Sequence, residues 1–372
     1  MDFDLEKEQV MLQKSARDFL KKECPKDLVR EMMNDEKGYS PELWRKTADL
    51  GWLGLVFPEE YDGVGSGFLD LIVLLEEMGR ALLPGPFVPT VVYAGRMIQA
   101  AGTEEQKKQY LSAITNGEMI LSLALMESSG KFESSDIAVT AEISGDDFVI
   151  NGTKLFVPDA HVADYIICVA RTNKGNSLFL VDSKSTGLQI KILPTITGEK
   201  TCAVLFDNVT VPAANLLGPL DGGWPIVQNM LDEAVIAESA WMMGGARWTL
   251  EESTNYAKER VQFGVPIGTF QAIQHKLANM AVDVEGATSI VYYAAWTVDE
   301  NDPAKSLAAS AAKAWCSDSY TKAAMEGIQV HGGMGFTWEH DMHLYLRHAK
   351  SSQVTFGDGN YHRERIAQLL NI

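Results

Sequence analysis

The stretch YAKERVQFGVPIGTFQAIQHKLAN, residues 256–279, decides how this chain is organised. Helix-forming residues are interrupted at Gly264, Pro266 and Gly268, so the stretch reads as one helix ending, a tight link, and a second helix beginning. Arg260, Gln262 and Phe263 fall at the helix end, where a guanidinium can hold a phosphate bidentately and a ring can cover an adenine or a ribose. The plainer reading of Arg260 is a surface cation at the negative end of a helix dipole.

A second run, QVHGGMGF at residues 329–336, adds to this. Gly332, Gly333 and Gly335 let backbone approach a ligand closely, and the Gln329 amide offers donors and acceptors beside them. The spacing is not that of a dinucleotide fingerprint, because no strand followed by an acidic residue frames it. A glycine turn that ends a helix is the alternative.

With 372 residues, 46% of them hydrophobic, the chain can bury large cores in two or three domains. Its 50 acidic against 32 basic residues leave a net charge of -18, which argues against a nucleic-acid surface and against anionic membranes. Cys24, Cys168, Cys202 and Cys316 have neither paired nor metal-ligand spacing, so reduced, buried thiols in a cytoplasmic protein are expected. The opening MDFDLEKEQ has no basic segment followed by an apolar run, so no secretory leader is expected, and no apolar stretch is long enough to cross a bilayer.

From Asp4 to about Glu118 the pattern is helical, as in LDLIVLLEEMGRALL at 69–83. Between about Met119 and Leu217 short runs rich in β-branched and aromatic residues, such as DFVINGTKLFV, DYIICVA, SLFLVD and AVLFDNVTV, are separated by Gly, Asn and Asp, which predicts an antiparallel β-domain. After Gly222-Gly223 helical periodicity returns over 226–258, 270–299 and 303–329. The expected fold class is therefore α+β: a helical domain over 1–118, a β-domain over 119–222, and a helical bundle over 223–372.

Taken in order, FPEEYDGVGSG (57–67), GTEEQKKQYLSAITNGE (102–118), FVINGTK (148–154), ERVQFGVPIGTFQ (259–271) and QVHGGMGF (329–336) resemble the acyl-CoA dehydrogenases along nearly the whole chain. The resemblance implies a three-domain subunit of a tetramer, FAD at an interface, an acyl-CoA substrate, and an electron-transfer flavoprotein as acceptor. It also implies that Arg260, Gln262, Phe263, Phe270, Gln271, Gln329, Gly332 and Gly333 bind the adenosine diphosphate of a neighbouring subunit's FAD. Met126 and Pro158 stand where the family often has hydroxyl residues that reach the flavin, and Phe156 keeps an aromatic there.

An α,β-dehydrogenation needs a carboxylate to take the α-proton and an acceptor for the β-hydride, both desolvated. Here the chain departs from the family. Phe356, in Phe356-Gly357-Asp358, stands at the usual glutamate, and Ala234 stands at the other usual position. Glu238, one helical turn beyond Ala234, shares its face and is the first candidate for the base; amid Ile236, Ala237, Ala240 and Trp241 its carboxylate is expected to be desolvated. Its alternative role is an ion pair with a basic neighbour. Asp358 is the second candidate, with a turn-forming role as its alternative. Asp232 matches a family position that contacts the CoA portion, against an N-terminal helix cap.

Retained adenosine-diphosphate residues beside an altered flavin wall admit two readings. One is an FAD-dependent dehydrogenase with a displaced base, working as a homotetramer; the other is a non-catalytic partner completing the site of a heterotetramer, as the similarity of the Phe-Gly-Asp ending with His362 to pimeloyl-CoA dehydrogenase small subunits suggests. The histidines of EHDMH (339–343), with His331 and His348, are more readily packing residues than metal ligands. No Gly-x-Ser-x-Gly elbow or catalytic cysteine setting supports a hydrolase.

Overall fold

A computed structural model describes residues 5–372. Asp4, where the helical reading begins, lies outside the described residues. The helices are α1 (Lys7–Glu23), α2 (Lys26–Asn34), α3 (Pro41–Asp49), α4 (Phe68–Ala81), α5 (Arg96–Ala101), α6 (Glu104–Thr115), α7 (Trp224–Glu259), α8 (Gln271–Asp299), α9 (Lys305–His331), α10 (Met342–Val354) and α11 (Gly359–Leu370). Among the described residues no helix is long and apolar enough to cross a membrane.

The chain packs into two compact units, each described by itself. One comprises the residues up to Arg30, Gly67–Leu83 and Val235–Ile372. In it α4 is apolar nearly all round and is buried, as such a sequence must be. The helix nevertheless carries Glu76 and Glu77, each about 1% exposed. They are tolerated because both are paired: Arg17 donates to Glu77 through Nε at 2.9 Å and Nη2 at 2.6 Å, while Glu76 accepts from Arg247 Nε at 2.8 Å and Tyr292 Oη at 2.7 Å. These bonds tie α1, α4, α7 and α8 together. Small residues along α9 let α8, α10 and α11 pack closely against it.

The other unit comprises Glu31–Ser66 and Pro84–Ala234 and contains the large sheet. Its strands are β1 (Leu121–Ala124), β2 (Thr140–Ser144), β3 (Asp147–Pro158), β4 (Tyr165–Arg171), β5 (Asn176–Asp182), β6 (Leu188–Leu193), β7 (Thr201–Pro212) and β8 (Leu216–Leu217), in the order β6-β7-β3-β2-β4-β5-β8. Pairing is mostly antiparallel, with β1 added parallel to β4. The β3–β7 register shifts between Lys154 and Val157, a bulge that turns Phe156 into a left-handed conformation (φ 53°) and leaves its ring 57% exposed.

The link after α7 is more ordered than the sequence suggests. Val261–Gln262 (β9) and Val265–Pro266 (β10) form a short antiparallel hairpin across Phe263 and Gly264, both at positive φ (54° and 84°), the geometry of a tight primed turn.

Candidate active site

The hairpin and the glycine run come together within one unit. Ala257 and Ile267 pack with Val330, and the Tyr256 ring stacks on His331 at 4.3 Å. Above this packing the groups named from sequence turn outward. Phe263 is 93% exposed and meets the edge of Phe270 at 6.1 Å, and Arg260, Gln262, Gln271 and Gln329 are all exposed. Arg260 has no ion-pair partner among the described residues. Gly332 caps α9 at φ 61°, so the helix-ending turn is real, and a Cβ built on it or on Gly333 meets no atom within 4 Å. Gln262 Nε2 donates to the Val261 carbonyl at 2.8 Å, and the rest is a cation, the amides of Gln271 and Gln329 and bare backbone around open space.

The histidines of the neighbouring segment are packing residues. His331 lies between Tyr256 and His340, and His343 stacks on Trp338 at 4.9 Å and contacts its carbonyl at 3.2 Å. Asp341 pairs with Arg30 at 2.6 Å. Among the described residues no group of three metal-ligating side chains is assembled.

The two candidate bases lie in the same unit, and their settings differ. Asp358 is exposed and caps α11, its Oδ1 accepting from Tyr361 N at 2.8 Å. Glu238 is half-buried in the body of α7, flanked by fully buried residues, and its charge acts on Lys313 of α9. The expected desolvation is therefore partial, and the ion-pair alternative also has its basic neighbour. Asp232 is a correction of another kind: α7 starts at Trp224, so Asp232 lies inside the helix, 4% exposed, and is no N-terminal cap.

Sequence reasoning missed Lys313. Its side chain is fully buried, and Nζ donates to the carbonyls of Ser352 (2.8 Å), Gln353 (3.2 Å) and Gly357 (3.0 Å) and to Ser317 Oγ (3.2 Å). Two of these carbonyls lie in the last turn of α10 and one in the Phe356-Gly357-Asp358 turn, whose Phe356 and Gly357 stand at φ 55° and 100°. His362 Nε2 donates to the Phe356 carbonyl at 3.0 Å; burial pushes its pKa down to about 4, so it is neutral. The available signal was a lone lysine in the small-residue run SLAASAAKAWC.

In the sheet-containing unit Met126 and Pro158 are half-buried near exposed Phe156. Behind them lies a buried ion pair: Lys154 Nζ reaches Glu127 Oε1 at 2.7 Å and the Leu125 carbonyl at 3.0 Å, while Glu127 also accepts from Ala138 N and Val139 N. Asp159, next along, is 8% exposed at φ 49°; burial, with help from Glu199 and against Lys200, pushes its pKa up to about 8. Cys24, Cys168, Cys202 and Cys316 are buried and free, as expected.

Residues 6–118, 122–209 and 221–370 match the models of the acyl-CoA dehydrogenase N-terminal, middle and C-terminal domains. The chain is 35% identical to a probable acyl-CoA dehydrogenase of Bacillus subtilis over the full length of both. It is 31% identical to a subunit of the caffeyl-CoA reductase-Etf complex of Acetobacterium woodii, covering 97% of each chain. Among solved structures, butyryl-CoA dehydrogenase from Megasphaera elsdenii superposes with a TM-score of 0.93 at 29% identity, covering 100% of both chains.

Proposed function

The chain belongs to the acyl-CoA dehydrogenase family, FAD-dependent oxidoreductases that introduce a double bond α,β to the thioester of an acyl-CoA, and from that premise we propose that Glu238 is its catalytic base. The observation that carries the choice is the contrast between the two carboxylates. Asp358 is exposed and spends an oxygen on capping α11, whereas Glu238 is half-buried among buried residues and acts on the buried Lys313 ammonium more strongly than Asp358 does. A carboxylate in such a site can take the α-proton without first shedding a full hydration shell.

The residues present fit FAD. The partnerless Arg260 guanidinium, the amides of Gln262, Gln271 and Gln329, and the bare backbone at Gly332 and Gly333 suit a diphosphate, and Phe263 and Phe270 suit a flat adenine face. Met126 and the outward Phe156 ring suit the flavin wall. When bound, FAD supplies the acceptor for the β-hydride. A ring as exposed as Phe263 has no cover within its own chain, which supports a tetramer in which a second copy completes the site. The Etf complex of the caffeyl-CoA reductase relative supports an electron-transfer flavoprotein as acceptor, and the four buried free thiols suit a cytoplasmic setting.

The test is anaerobic flavin reduction with a panel of straight-chain, branched and alicyclic acyl-CoAs. Glu238→Gln keeps shape and removes the basic lone pair, so reduction is expected to slow by about three orders of magnitude or more while ligand and FAD binding persist. Equal rates in the two proteins remove Glu238 from the role. A wild-type chain that holds flavin and is reduced by nothing, or that purifies colourless, favours the partner-subunit reading instead.

A further inference from the structure

Lys313 is the one long basic side chain on the buried small-residue face of α9, and its charge is neutralised unevenly. Its donors are consumed by three main-chain carbonyls and one hydroxyl, none of which carries a full negative charge. The titratable groups around it are Glu238 on α7, Asp358 at the start of α11 and the Cys316 thiol on its own helix, and it in turn acts on His362 of α11. Cys316 is held in its neutral form, its pKa pushed up to about 12 by burial, and His362 is neutral. Asp358 is exposed to solvent, which screens it. Of the charges acting on this fully buried ammonium, that of the half-buried Glu238 carboxylate is the strongest.

We propose that Lys313 is the positioning residue of the reaction centre: its hydrogen bonds clamp the Phe356–Asp358 turn, and its charge keeps the Glu238 carboxylate ionised and therefore basic at neutral pH. The clamp has a physical need behind it. The last carbonyls of a helix have no partners of their own, and a cation at that end satisfies them and opposes the dipole. The turn that follows holds Phe356 in a left-handed conformation that a bulky side chain resists, so it persists only if it is tied on both sides. Lys313 supplies one tie, at the carbonyls of Ser352, Gln353 and Gly357, and His362 supplies the other, at the carbonyl of Phe356.

The electrostatic half works in both directions. Burial pushes the Lys313 pKa down to about 8, with Glu238 the first of the charges that oppose this fall. By reciprocity the ammonium favours the ionised form of Glu238. Deprotonating Lys313 withdraws that help, so the same residue bounds the working range on the alkaline side.

This inference rests on Glu238 being the base, and the experiment separates the two claims. The Glu238 carboxyl is titrated by difference infrared spectroscopy in the FAD-loaded protein, with Glu238→Gln identifying its band, and flavin reduction is followed across the same pH range. In Lys313→Met the midpoint of the band is expected to rise by about one pH unit or more, and the acid limb of the reduction profile to move up with it. Lys313→Gln, which keeps amide donors for the carbonyls, is expected to restore slow hydrogen exchange over 353–358 and yet keep the raised midpoint. If Lys313→Met does not fold, Lys313→Gln carries the test. A midpoint unmoved in every folded variant overturns the proposal. A moved midpoint in a protein whose flavin no acyl-CoA reduces overturns the dehydrogenase reading and leaves the coupling of Lys313 to Glu238 standing.

Discussion

The surface around Arg260 and the turn around Phe356 lie in one compact unit and treat polar groups in opposite ways. At the first, a guanidinium, the amides of Gln271 and Gln329 and a bare glycine pair are exposed and unspent within the chain. At the second, a lysine, a histidine and an aspartate are committed to carbonyls and a backbone N–H of the same chain. A buried donor must be satisfied by the chain itself, whereas an exposed one can wait for a ligand. The first region is therefore built for another molecule and the second for holding its own shape. Glu238, half-buried and acting on Lys313 through its charge, belongs to neither pattern, which is the setting the proposed base requires.

Removing Arg260 makes the hardest test of this contrast. Arg260→Ala is expected to weaken FAD binding by about 2 to 3 kcal/mol, the loss of a charge-assisted phosphate contact, with the folded chain unchanged because the side chain supports nothing inside it. Flavin affinity from fluorescence titration checks the first part and thermal unfolding of the flavin-free protein checks the second. Unaltered affinity returns Arg260 to the role of a helix-end cation.

The outward region was legible in the sequence because its residues break the core pattern. Gly332 and Gly333 follow a helix, and Arg260 and Phe263 sit at a break where no core pattern asks for them. The helices of the C-terminal part and the strands of the middle part were legible through their periods of burial. The primed hairpin at Phe263-Gly264 was not, since a phenylalanine is an unusual residue for positive φ. The inward region was largely hidden. Lys313 reads as a lone surface lysine in an alanine-rich helix, and only the packing of α10 and α11 against α9 shows what its ammonium is for. The capping alternative for Asp232 failed because it depends on where α7 begins, and helix starts are the least certain part of a periodic pattern.

A carboxylate buried without a matching set of donors sharpens the rule. Asp159 is 8% exposed and burial raises its pKa to about 8, so in the folded protein its neutral form is favoured. A raised carboxyl pKa contributes a penalty that is absent below the ordinary value of about 4 and grows as pH climbs towards the folded value. Asp159→Asn removes the titration and keeps a side chain suited to φ 49°. It is expected to stabilise the protein by on the order of 2 kcal/mol at neutral pH and by nearly nothing at acidic pH. Denaturation midpoints of both proteins at the two pH values decide it; equal differences at both show that the gain is not electrostatic.

The smallest effect is also the one that separates the two candidate bases. Asp358 accepts from Tyr361 N and starts α11 in an extended conformation, the arrangement of an N-terminal cap. Asp358→Ala should cost about 1 kcal/mol of stability, the usual loss when a cap is deleted, and should leave flavin reduction within a few-fold of wild type. Asp358→Ser, which can still cap but cannot act as a base, should recover most of the stability. A capping role thus predicts that the serine variant is stable and active, whereas a catalytic role predicts that it is stable and inactive. Thermal unfolding and anaerobic reduction rates on the same three proteins distinguish the two, and a stable, inactive serine variant would transfer the proton abstraction from Glu238 to Asp358.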